Sequence, residues 1–126
     1  MAKRELLVTA AILGLTAVMM GAFGAHILRS IIPRESLETF EIAVRYQFYH
    51  ALALLAITPA LGRLSQPVAI WVPRFWISGV LLFSGSLYLL SIFRAHWIGI
   101  ITPVGGLAFL IGWTLLTYGF FFVSDD

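Results

Sequence analysis

The chain has 126 residues and a formal net charge of +2, a length that allows a single domain. Hydrophobic residues form 60% of the sequence, charged residues form 11%, and the mean hydropathy is +0.96, whereas a soluble domain needs about 25% charged residues. This composition excludes an ordinary soluble domain and indicates lipid surroundings. The basic residues are scattered, which excludes a nucleic-acid-binding stripe. The absence of cysteine excludes disulfides and thiolate metal sites.

The first uncharged run covers residues 6–28 and is long enough to cross a hydrocarbon core of about 30 Å. Lys3 and Arg4 precede it, as basic residues precede the apolar part of a secretory signal peptide. The run is long for a signal peptide, however, and more apolar segments follow it. We therefore expect a retained first span.

Residues 29–45 form the most polar stretch of the chain. Apolar residues recur at helical spacing between positions 37 and 48, which predicts an amphipathic helix that begins near Ser36. Such a helix either lies at the membrane interface or continues directly into the second span. Glu41 and Arg45 stand four residues apart and are expected to pair on its surface.

The second predicted span covers residues 46–62, and Pro59 is expected to kink or end it. A connector containing two prolines, residues 63–74, is predicted to be a loop near the headgroups. The third span then covers residues 75–93 and is closed by Arg94.

The fourth predicted span covers residues 103–123, with Thr102 as its N-cap and Pro103 at its first helical position. The fold class predicted for residues 1–126 is therefore an all-α membrane protein of one domain. It is a four-transmembrane-helix bundle with an amphipathic interfacial helix between spans 1 and 2. We expect a multi-pass membrane protein.

Four spans place both termini on the same side of the membrane, called here the near side. Lysine and arginine are equally numerous on the two sides, so the positive-inside rule gives no orientation, and the free amino terminus favours cytoplasmic termini. The predicted partners are the lipid bilayer and either a larger membrane complex or a second copy of the chain. No nucleic acid partner is expected.

Small residues are predicted to bring the helices into close contact, because helix packing in lipid depends on close backbone approach. The positions expected to do so are Ala17, Gly21 and Ala25, which recur every four residues, together with Gly85, Gly105 and Gly112. The same residues could instead face a partner subunit.

Polar residues gather on the side opposite the termini, called here the far side. The predicted cluster contains His26, Arg45, Gln47, His50, Arg94 and Thr102. Its simplest interpretation is a structural hydrogen-bond cluster, since a polar ring within an apolar helix needs a partner. Three alternatives remain: a metal site at His26 and His50 joined by Glu41 or His96, a site for an anion, lipid phosphate or quinone headgroup, and an ion path past Ser84, Ser86 and Tyr88.

Catalysis is not indicated by the sequence. No carboxylate lies inside the predicted spans, and Ser84 lies too deep for His50 to be assumed within reach as a general base. No cofactor is predicted. The metal-site alternative lacks a local ligand motif, which leaves His26 and His50 as its two candidates.

Several motifs together carry a family resemblance: Gly21–His26, Tyr46–Ala53, Leu82–Tyr88, Thr102–Gly106 and Gly112-Trp113. In this order and spacing they resemble the domain-of-unknown-function 423 family of small multi-pass membrane proteins, which includes the transmembrane protein 256 branch. The resemblance covers nearly the whole chain. It implies a four-span inner-membrane protein of bacterial type, and it implies no catalytic or ligand-binding role for any residue.

The function favoured by these observations is non-enzymatic. The chain is expected to act as an accessory or scaffold subunit, or to bind a lipid-like molecule within its helices. The alternative is a small oligomeric channel or transporter that uses the histidine and arginine cluster at one leaflet.

Overall fold

Five α-helices, joined by short 3-10 turns and one π-helical turn, make up residues 1–123, which are the residues described by the computed structural model. The α-helices are α1 (Lys3–His26), α2 (Arg34–Ile57), α3 (Gln66–Gly79), α4 (Gly85–Phe93) and α5 (Ile101–Phe121). The 3-10 turns are Leu28–Ser30, Thr58–Arg63 and His96–Ile100, and the π turn is Val80–Ser84.

Within the described residues, three helical segments are long and apolar enough to cross a membrane. They are Lys3–Ser30, Gln66–Phe93 and His96–Phe121. The second of these segments is one continuous helix made of α3, the π turn and α4. We call it the third rod, because it follows α1 and α2 in the chain. α2 is as long as α1, but charged residues fill its first half.

α2 runs without a break through Tyr46, where the second span was predicted to begin. The predicted interfacial helix is therefore not a separate element, because residues 34–45 form the first half of α2. Neither glycine nor proline occurs between positions 34 and 57, so nothing in the sequence interrupts the helix. The prediction that Pro59 ends it is confirmed: α2 stops at Ile57 and Pro59 lies in the 3-10 turn.

The predicted loop over residues 63–74 is wrong from Gln66 onward, where α3 begins. Pro67 occupies the first turn of α3, a position that needs no intrahelical N–H bond. Pro73 lies inside the helix and is buried, so packing holds it there despite the lost hydrogen bond. The third helical rod is consequently nine residues longer at its near end than predicted.

α1 packs lengthwise against α2, and two residues of the predicted four-residue stripe take part: Ala17 is buried, and a Cβ at Gly21 would lie 3.4 Å from Val44 of α2. The buried small residues of α1 are Ala10, Ala17 and Gly24, spaced by seven, and a Cβ at Gly24 would lie 3.0 Å from the Phe40 ring. Ala25 is exposed. A spacing of four drifts around a helix with 3.6 residues per turn, whereas a spacing of seven returns to nearly the same face.

α5 packs along α3 and the π turn through three glycines that are also seven residues apart. A Cβ added at Gly105 would lie 2.8 Å from the Cα of Phe83, and one at Gly112 would meet the Trp76 ring. Gly119 faces Val68 in the same way. Gly85, by contrast, has open space at its Cβ position, so its predicted packing role is wrong.

Candidate functional site

A groove of about 650 Å³ separates α2 from α5. α2 packs on α4 and the π turn, while α5 packs on α3 and the π turn. Both helices therefore pack against the third rod. The lining residues are mostly apolar and aromatic: Tyr46, His50, Phe83, Pro103, Gly106, Leu107, Phe109, Leu110 and Trp113. We call this cavity the α2–α5 groove.

His50 is the polar side chain held in the wall of the α2–α5 groove. Its Nδ1 lies 2.7 Å from the Tyr46 carbonyl oxygen, and Trp113 Nε1 donates to its Nε2 over 3.1 Å. The imidazole also stacks on Phe109, with ring centroids 3.7 Å apart. Because Nε2 accepts, Nδ1 carries the proton and donates it to the carbonyl, so both ring nitrogens are occupied.

The α2–α5 groove occupies about half the length of α5. Its lining residues run from Pro103 to Trp113, about 15 Å along the helix, which is the hydrocarbon depth of one leaflet. Beyond Trp113 a second cavity of about 220 Å³ continues between the same two helices. Trp113, whose indole donates to His50, lines both cavities.

Gln47 joins three helices through hydrogen bonds inside the protein. Its Nε2 donates to the Leu13 carbonyl over 2.9 Å and to Thr16 Oγ1 over 2.7 Å, and the Tyr88 hydroxyl donates to its Oε1 over 2.8 Å. Gln47 is 5% exposed. The predicted cluster was centred on the histidines, whereas this network contains one of its members, Gln47, and adds Thr16 and Tyr88, which the predicted cluster did not include.

The hydroxyl groups of the third rod are also engaged within the protein. Ser84 Oγ donates to the Ala43 carbonyl over 2.7 Å, and Ser86 Oγ lies 2.6 Å from Thr102 Oγ1. α5 begins at Ile101, so Thr102 is not its N-cap but a link from α5 to α4. The hydroxyls of Ser84 and Ser86, which the ion-path alternative requires, are therefore both hydrogen-bonded within the protein.

The remaining members of the predicted cluster lie apart from one another. His26 is exposed, and Arg45 is exposed and pairs with Glu41 over 3.5 Å. Gly14 faces Ala51, and His26 follows Gly14 by twelve residues, about 18 Å along α1. His26 and His50 are thus at different depths, and residues 1–123 contain no group of three potential metal ligands.

Arg94 lies at a separate, smaller cavity between the N-terminal part of α2 and the C-terminal end of α4. It lines a cavity of about 150 Å³ together with Glu35, Ser36, Thr39, Leu90, Ser91 and His96. We call this the far-side cavity. His96, the first residue of the 3-10 turn His96–Ile100, also lines this cavity.

Sequence reasoning missed the aromatic residues that form the groove, among them Phe83, Phe109 and Trp113. Phe109 and Trp113 are four residues apart on α5, as Tyr46 and His50 are on α2, and this spacing places each pair on one helix face. In a segment that is apolar on every side, such a pattern is indistinguishable from lipid-facing residues.

Comparisons with known proteins agree on one family. The family described as protein of unknown function (DUF423) matches residues 20–106. A UPF0382 membrane protein of Staphylococcus saprophyticus is 42% identical over 115 residues, covering 91% of this chain and 95% of the relative. The UPF0382 inner membrane protein YgdD of Escherichia coli is 38% identical over 119 residues, covering 94% and 91%. No solved structure matches the chain.

Proposed function

The chain belongs to the DUF423 family of membrane proteins, and we propose that it is a four-span, non-enzymatic protein that holds the apolar chain of a lipid-like molecule in the α2–α5 groove. The observation that carries this proposal is the groove itself. It opens sideways between two helices, has the depth of one leaflet, and is lined almost entirely by hydrocarbon and aromatic rings.

The length of α2 supports a membrane crossing by this helix, which would bring the number of spans to four. From Tyr46 to Ile57 the helix rises about 18 Å, and the 3-10 turn Thr58–Arg63 adds about 12 Å, which together equal a hydrocarbon core of about 30 Å. The charged residues of α2, from Arg34 to Arg45, then lie at and beyond the far interface. In this arrangement the groove lies in the far leaflet.

The bonding of the polar side chains supports a binding role without catalysis. Both nitrogens of His50 are engaged, and the buried Ser84 hydroxyl donates to a backbone carbonyl. A general base needs a free nitrogen within reach of a proton, and a nucleophile needs a partner that activates it. The groove therefore offers shape and apolar contact to a ligand.

The test compares two tryptophan substitutions at positions of nearly equal exposure. Leu110 lines the groove and is 65% exposed, whereas Leu15 lies on α1 away from it and is 62% exposed. Leu110→Trp adds a ring where the ligand chain would lie, so retained lipid should fall about tenfold, equivalent to about 1.4 kcal/mol. Leu15→Trp should leave it unchanged.

The measurement is native mass spectrometry of the protein after mild detergent extraction, combined with cross-linking by a photoactivatable fatty acid. Cross-links are expected on peptides from α2 and α5. The proposal would be overturned if the wild type retained no bound lipid, or if the two variants retained equal amounts.

The accessory-subunit and channel alternatives stay predictions. Co-purification of a stoichiometric membrane protein would support the first. Liposome flux that depends on His50 would support the second. Relatives named membrane or inner membrane proteins support a location in the bacterial inner (plasma) membrane, and the cytoplasmic position of the termini stays a prediction.

A further inference from the structure

The far-side cavity lies about two helical turns from the α2–α5 groove along both α2 and the third rod. On α2, Thr39 of the cavity precedes Tyr46 of the groove by seven residues, two helical turns, so both lie on the same face about 10 Å apart. On the third rod, Leu90 of the cavity likewise follows Phe83 of the groove by seven residues. A molecule whose chain occupies the groove, and whose headgroup extends about 10 Å along α2, would reach the cavity.

The cavity presents two opposite charges that do not neutralise each other. Glu35 and Arg94 both line it, yet within residues 1–123 neither forms an ion pair with another side chain. The other charged residues of α2 are paired, as Arg34 with Glu38 and Arg45 with Glu41. The cavity lining thus offers both a carboxylate and a guanidinium that have no ion-pair partner among residues 1–123.

The backbone of Arg94 provides a second observation. Arg94 ends α4 in the left-handed conformation with φ of 53°, where glycine is the usual residue. A side chain there costs conformational energy that glycine avoids. The sequence nevertheless holds a guanidinium at this point, and His96 lines the same cavity.

We propose that the far-side cavity binds the headgroup of a phospholipid that carries both a phosphate and a primary ammonium. Arg94, with His96 beside it, receives the phosphate, because guanidinium forms strong charge-assisted bonds to phosphate oxygens. Glu35 accepts hydrogen bonds from the ammonium. This inference rests on the proposed function, since the chains of the same lipid lie in the α2–α5 groove.

The test measures which lipids remain bound when the protein is reconstituted with equal amounts of phosphatidylethanolamine, phosphatidylglycerol and phosphatidylcholine. Native mass spectrometry of the wild type should show phosphatidylethanolamine enriched about tenfold over the other two, equivalent to about 1.4 kcal/mol. Glu35→Gln should abolish the preference over phosphatidylglycerol while keeping total bound lipid. Glu38→Gln, an exposed carboxylate on the same helix outside the cavity, should leave the preference intact.

Arg94→Gly separates a binding role from a structural one. Glycine adopts the left-handed conformation freely, so the variant should be at least as stable as the wild type while it loses the headgroup preference. Bound lipid that depends on Leu110 but has the composition of the mixture would overturn the headgroup site and leave the groove proposal standing. Absence of bound lipid in the wild type would overturn both.

Discussion

The hydrogen bonds of Gln47 illustrate how polar residues act in this chain at the scale of single side chains. The sequence predicted a polar cluster, and Gln47 and His50 are indeed buried. Their partners were not predictable, because Leu13 is an apolar residue that contributes its carbonyl, and Trp113 is distant in the sequence. Composition and spacing show which side chains need partners, whereas only helix rotation decides which partners they meet.

Removing the Gln47 amide is expected to destabilise the protein. Gln47→Leu leaves the Tyr88 hydroxyl without its acceptor, and an unsatisfied buried donor costs about 1–3 kcal/mol. The double variant with Tyr88→Phe should recover part of this loss, about 0.6 kcal/mol by the average for such pairs in membranes. Thermal unfolding in detergent measures both. Tyr118→Phe, at a residue that is 60% exposed, serves as the control and should show no change.

At the scale of helices, the sequence predicted the existence of the elements better than their ends and faces. Pro73 led to a predicted loop, but the structure keeps it inside α3 because the surrounding helices bury it. Small residues were correctly expected at the contacts of Ala17, Gly105 and Gly112. The contact faces follow seven-residue spacing, a pattern visible in the sequence only once the contacting glycines are known.

Two glycines near the π turn should respond oppositely to the same substitution. Gly105→Ala places a methyl group against the Phe83 backbone, which cannot move aside as a side chain can, so about 1–3 kcal/mol of stability should be lost. Gly85→Ala meets open space and should gain up to about 1 kcal/mol from helix propensity. Thermal melts of the two variants in one detergent compare them directly. Equal losses would contradict the packing described for α5.

At the scale of the whole molecule, the number of membrane crossings decides the depth at which each site lies. α2 is not among the three helical segments of residues 1–123 that length and hydropathy identify as possible spans, because its first half is charged. If α2 crosses, Ala2 and Ser65 lie on one side and Ser30 on the other. If it does not, Ser30 and Ser65 share a side, and the groove cannot lie within a leaflet as proposed.

Single cysteines can distinguish these arrangements cleanly, since the natural sequence contains none. We expect Ala2→Cys and Ser65→Cys to react with a membrane-impermeant maleimide from the same face of sealed vesicles, and Ser30→Cys from the opposite face. Labelling of positions 30 and 65 from one face would contradict four spans. The face that exposes position 2 also gives the orientation of the termini.

The sideways opening of the α2–α5 groove determines how any occupant would be selected. A lipid entering from the bilayer exchanges contact with neighbouring tails for contact with apolar side chains, and these two environments are about equally apolar. Affinity must then be expressed against the mole fraction of each competing lipid, not against its concentration in water. Under this competition an apolar wall alone confers little preference. Discrimination among lipids then depends on the shape of the aromatic side chains that line the groove and on the charges at the membrane surface.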